Sequence, residues 1–72
     1  MTLKQEILEG AKVLEKETGW RWGQSVFNYV EQMFGVAREV QFKDGIDCFY
    51  NDAAVDAFID AAVKRIKQNE IK

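Results

Sequence analysis

The ten residues Gly19-Trp20-Arg21-Trp22-Gly23-Gln24-Ser25-Val26-Phe27-Asn28 decide how the chain reads. They gather both tryptophans and a run of uncharged hydrogen-bonding side chains directly after a glycine break. From here to Phe34 the apolar residues form two adjacent rows at helical spacing: Trp22, Val26, Tyr29 and Met33, then Phe27, Val30 and Phe34. A stripe that wide belongs to a central helix with partners on two sides. Gly35 supplies the expected left-handed stop. The remaining face, Arg21, Gln24, Asn28 and Glu31, is polar and mostly uncharged.

Upstream, Thr2 with Gln5 three residues later has the form of a capping box, and Leu3, Ile7, Ala11 and Leu14 follow at helical intervals. The spacing predicts a helix over roughly 2–18, closed by Gly19, with Lys12 and Lys16 placed to meet glutamates one turn away. Gly10 sits in its middle at a cost of about 1 kcal/mol relative to alanine, which a close approach of another element would explain. Downstream, Val55, Phe58, Ile59, Ala62, Val63 and Ile66 define a last amphipathic helix, capped by Asn51 or Asp52 and fraying after Gln68. Its aspartates lie early and Lys64, Arg65 and Lys67 late, complementing the helix dipole.

Residues 36–50 support two readings. Val36, Ala37 and Val40 fit a short helix, while Asp44-Gly45 between Val40-Gln41-Phe42 and Ile46-Asp47-Cys48 is the dipeptide of two-residue hairpins. A short helix followed by an ordered loop is preferred, because a lone hairpin with so little alternation would need the helices to hold it.

Composition narrows the function. At 72 residues the chain is one domain, with 47% apolar and 12% aromatic residues, enough to build a core. A net charge of −2 from ten basic and twelve acidic residues disfavours polyanion binding driven by counterion release. Cys48 is the only cysteine and there is no histidine, so neither a disulfide framework nor a thiol–imidazole pair is available. No apolar run spans a bilayer and the first residues lack a secretory pattern, so a cytoplasmic location and no membrane partner are expected.

Two short segments, Arg21-Trp22-Gly23-Gln24 with Asn28 four further on and Asp47-Cys48-Phe49-Tyr50-Asn51-Asp52 before the final helix, resemble small uncharacterised proteins of bacteria and their phages. Those carry an Arg-x-Gly-Gln-x-x-x-Asn segment followed by Asp-Pro-Phe-Tyr; here Cys48 stands at the proline position. The resemblance implies a bacterial or phage origin and a helical fold, and brings no activity with it.

Arg21, Gln24 and Asn28 form a possible recognition row, since an amide pair beside a guanidinium reads backbones, carboxylates or base edges. The preferred account is that Gln24 and Asn28 satisfy backbone groups of the 43–52 loop. Trp20 and Trp22 point about 160° apart if both are helical, so one covers an edge, either closing the core or forming an aromatic anchor with Phe49 and Tyr50. Asp44, Asp47, Asn51 and Asp52 fail the calcium-loop pattern, with Ile46 at its third position and Phe49 at its sixth, and read as turn formers and caps. Cys48 reads as a half-buried hydrophobe, Asp56 and Asp60 as a solvated face, and Lys64, Arg65, Lys67 and Lys72 as a helix terminus.

The sequence therefore predicts a single all-α domain over 1–72, a small bundle of three main helices with a short helix or hairpin between the second and third. No cofactor, metal or catalytic residue is expected. The predicted function is a non-enzymatic interaction module that binds a protein partner or itself through Trp20, Arg21, Gln24, Asn28, Phe49 and Tyr50. The alternative is an accessory protein touching nucleic acid through Lys12, Lys16, Arg21 and the C-terminal basic cluster.

Overall fold

The computed structural model describes residues 2–70, and it is all-helical. Four α-helices run in order: α1 (Leu3–Thr18), α2 (Trp22–Phe34), α3 (Ala37–Lys43) and α4 (Val55–Glu70), with a 3₁₀ turn at Asp52–Ala54 leading into α4. No strand occurs among the described residues. None of these helices is long and apolar enough to cross a membrane.

The capping box forms as read: Thr2 Oγ1 accepts from the Gln5 N–H at 3.2 Å, and the Thr2 N–H donates to Gln5 Oε1 at 2.9 Å. Gly19 and Gly35 end α1 and α2 at φ 78° and 71°, a conformation that disfavours any side chain. Gly10 has its explanation in α2. The Tyr29 ring lies against it, in the space a Cβ would take, so the missing side chain lets α1 and α2 come together.

Helix α2 touches α1, α3, α4 and the 3₁₀ turn, and it carries the middle of the core. Val26 and Val30 are fully buried, Phe27 nearly so, and they meet Ile7 and Ala11 of α1 and Phe58, Ile59 and Ala62 of α4. Trp22, Tyr29 and Phe34 are half-buried against the same cluster. Met33 departs from its row and is 61% exposed, since it falls in the last turn of α2, one turn beyond the Tyr29 ring that rests on α1.

The short helix is what forms between α2 and α4. Val36, Ala37 and Val40 are all buried, which a helical period achieves and a strand alternation would not. Asp44-Gly45 closes this helix rather than turning a hairpin: Gly45 adopts φ 70° and the Ile46 N–H returns to the Val40 carbonyl at 3.3 Å. The same period pushes Phe42 outward, to 77% exposure.

Charged side chains link elements more than they brace single helices. Among the described residues Lys12 and Lys16 form no ion pair, whereas Lys4 of α1 reaches Asp60 of α4 at 3.3 Å. Arg65 was expected only to complement the α4 dipole. It instead grips Asp44 with two hydrogen bonds, at 2.9 and 2.8 Å, and Glu39 with a third at 3.2 Å. Helix α4 also continues through Asn69 and Glu70, past the expected fraying at Gln68, and the expectation for Lys72 lies outside the described residues.

The Arg65 guanidinium holds the Asp44 carboxyl below its ordinary value of 3.8. A carboxyl depressed on folding contributes stability above its unfolded pKa and loses it as pH falls through the folded one. Urea midpoints measured from pH 5 to pH 2 should therefore drop more steeply for the natural chain than for Asp44→Asn; parallel curves would mean that the pair contributes nothing.

Candidate functional site

The start of α2 is built around a glycine that three other groups need. Gly23 is the second residue of the helix, so its N–H has no intrahelical acceptor, and Arg21 at the cap position offers no side-chain oxygen. Asp52, 29 residues on, supplies one: its Oδ1 accepts from the Gly23 N–H at 2.9 Å. The Gly23 carbonyl in turn accepts from the Cys48 thiol at 3.3 Å. A Cβ on Gly23 would run into the Cys48 carbonyl and come within 2.7 Å of the Asp52 carboxylate.

Arg21 completes the junction, donating from Nη2 to the Phe49 carbonyl at 2.8 Å. The two segments that carry the family resemblance are thus in direct contact. The loop's other oxygens are also engaged: Asp47 Oδ1 accepts from the Phe49 N–H at 2.8 Å, and Asn51 Oδ1 caps the 3₁₀ turn at the Ala53 N–H, 3.1 Å away. Asn51 is therefore the cap that precedes α4, and Asp52 turns back to serve α2.

This arrangement corrects the expected role of Gln24 and Asn28. Both are half-buried, but among the described residues neither makes a side-chain hydrogen bond; Arg21 and the loop's own Asp47 and Asn51 hold its backbone instead. Trp20 is half-buried ahead of α2, its backbone N–H donating to Thr18 Oγ1 at 3.2 Å, so the helical angle between the tryptophans does not apply. Trp22 packs on the core.

What the junction positions is a row of rings. Phe58, fully buried, lies 5.5 Å from Phe27; Phe27 meets Phe49 edge-to-face at 5.5 Å; Phe49 meets Tyr50 at 4.7 Å. Tyr50 is 75% exposed. Tyr50 and Phe42 of α3 both line a shallow groove of about 290 Å³, with Phe27, Phe49, Arg38 and Gln41 completing the lining. Of the six residues predicted for partner contact, only Phe49 and Tyr50 line the groove; Arg21 holds the Phe49 carbonyl from outside it, and Trp20, Gln24 and Asn28 do not line it. Phe42 was missed. The signal was present, since two residues beyond buried Val40 is the opposite side of a helix.

Cys48 is fully buried rather than half-buried, and burial pushes its thiol from an ordinary 9.0 up to about 12, with the nearby Asp47 charge acting in the same direction. Such a group is a poor nucleophile at neutral pH. Comparison of the chain with protein-family models, curated proteins and solved structures finds no match.

Two outcomes follow from the junction. Gly23→Ala should lower stability by about 1–3 kcal/mol in chemical denaturation despite alanine's better helix propensity, because backbone rather than a flexible side chain blocks the methyl; unchanged stability would show that the loop yields. A thiol whose pKa rises on folding contributes stability below its unfolded pKa and loses it as pH climbs toward the folded one. Unfolding midpoints should accordingly fall between pH 9 and 12 and fall less in Cys48→Ala.

Proposed function

We propose that the chain is a non-enzymatic protein-interaction module, a small bundle of three main helices (α1, α2 and α4) whose short α3 and 47–52 loop form the contact surface. The observation that carries this reading is that two large rings, Phe42 and Tyr50, each at least three-quarters exposed, line one groove. Aromatic side chains dominate interface energetics, and exposed ones arranged around a concavity mark binding surfaces more often than scattered ones do.

The expected occupant is a short segment of a partner protein. Six residues line the groove, whereas a stable protein–protein interface engages about 20–30 residues a side, so the groove alone is too small for a tight homodimer. An apolar side chain of that segment would sit against Phe42 and Tyr50, and an acidic neighbour would suit Arg38, whose side chain is 76% exposed and held, among the described residues, by no more than one long ion pair, to Glu31 at 4.0 Å. Nucleic-acid contact has less support, because the guanidiniums of Arg21 and Arg65 are already engaged within the chain.

Peptides selected from a random display library against the natural protein should lose about tenfold or more in affinity for Phe42→Ala and Tyr50→Ala. Phe42→Ala should change folding stability by less than about 0.5 kcal/mol, the usual range for exposed sites. Binders indifferent to both substitutions would remove the groove from the account.

A further inference from the structure

A second, larger concavity of about 600 Å³ lies apart from the aromatic groove, between the end of α3 and the later turns of α4. Half-buried Ile46 and Ala61 contribute apolar surface to it, and Lys43, Asp44, Lys64, Arg65 and Gln68 contribute the polar lining. The charges divide unevenly. Arg65 is answered by Asp44 and Glu39, with its Nε, Nη1 and Nη2 all donating. Lys43 and Lys64 are exposed and among the described residues neither has a carboxylate within ion-pair distance, while the Lys64 charge acts at longer range on the Asp44 carboxyl that lines the same concavity and is already taken up by Arg65.

Two ammonium groups on the walls of one concavity favour an anion, and the type of cation indicates which. A carboxylate is best matched by the planar fork of an arginine, and the only fork here is occupied. Lysine ammonium groups act as compact point charges that suit the clustered oxygens of a phosphate. Two of them match a dianion. Long polyanions fit poorly, since a patch of two free cations on a chain of net charge −2 releases few counterions.

We propose that this concavity binds a small phosphate monoester of nucleotide type, with its phosphate between Lys43 and Lys64 and its planar body over Ile46 and Ala61. The volume lies within the range of about 300–1,000 Å³ usual for small-molecule sites. This site is independent of the aromatic groove, and either can fail without the other.

Amide NMR titrations of the intact protein with AMP, adenosine and inorganic phosphate test the proposal. AMP should give saturable shifts confined to residues 43–46 and 61–68 with a dissociation constant of about 1 mM or lower, at least about tenfold tighter than adenosine or inorganic phosphate. Affinity should fall between pH 7.5 and pH 5 as the phosphate, with a second pKa of about 6, loses its second charge. Lys43→Gln and Lys64→Gln, both surface changes, should each weaken AMP several-fold with helical content unchanged. No saturation by about 10 mM, equal binding of adenosine, or indifference to pH would overturn the proposal. So would a glutamate-rich peptide that binds where AMP does not, which would assign the concavity to acidic protein segments. Equal binding of AMP and inorganic phosphate would overturn the role given to Ile46 and Ala61.

Discussion

The hydrogen bond from the Gly23 N–H to the Asp52 carboxylate is the constraint on which the rest of the architecture depends. Helix α2 begins without a capping side chain of its own, so its first turn leaves donors that must be satisfied from elsewhere. The aspartate that does this stands at the first position of the 3₁₀ turn that leads into α4. One carboxylate thereby fixes the start of the second helix against the approach to the last. Its negative charge also lies at the positive end of the α2 dipole, where it is favourable.

Around that bond the contacts reinforce one another. The missing Cβ of Gly23 admits the Cys48 carbonyl, and the Cys48 thiol finds its acceptor in the Gly23 carbonyl, so an irregular segment buries a polar group without leaving it unpaired. Arg21 holds the next carbonyl, at Phe49, and that hold keeps the Phe49 ring against Phe27. At the C-terminal end of α3, Arg65 holds Asp44 and Glu39. The single irregular stretch between α3 and the 3₁₀ turn is thus held by two arginines, Arg65 at Asp44 and Arg21 at Phe49.

The helices were legible because periodicity and capping are local. Thr2 with Gln5, Gly19, Gly35 and the Val55–Ile66 pattern each state their role within a few residues, and the structure uses them accordingly. The short element was legible in part: Val36, Ala37 and Val40 announced a helix, while Asp44-Gly45 offered a hairpin, and the burial of all three apolar residues goes with the helix. The junction was not legible. Gly23 and Asp52 are 29 residues apart, and no spacing rule links a glycine near a helix start to a distant aspartate. The amides Gln24 and Asn28 drew attention because they were conspicuous, whereas the loop is held by Arg21, by its contact with Gly23, and by its own Asp47, Cys48, Asn51 and Asp52.

The row Phe58, Phe27, Phe49 and Tyr50 runs from the centre of the molecule to its surface, each ring resting on the one beneath. Tyr50 is therefore preorganised: folding has already restricted the rotamers that a free surface tyrosine would have to surrender on meeting a partner. A side chain docking at this ring would meet a face braced by Phe49, with less ordering entropy to overcome than at an unsupported surface ring.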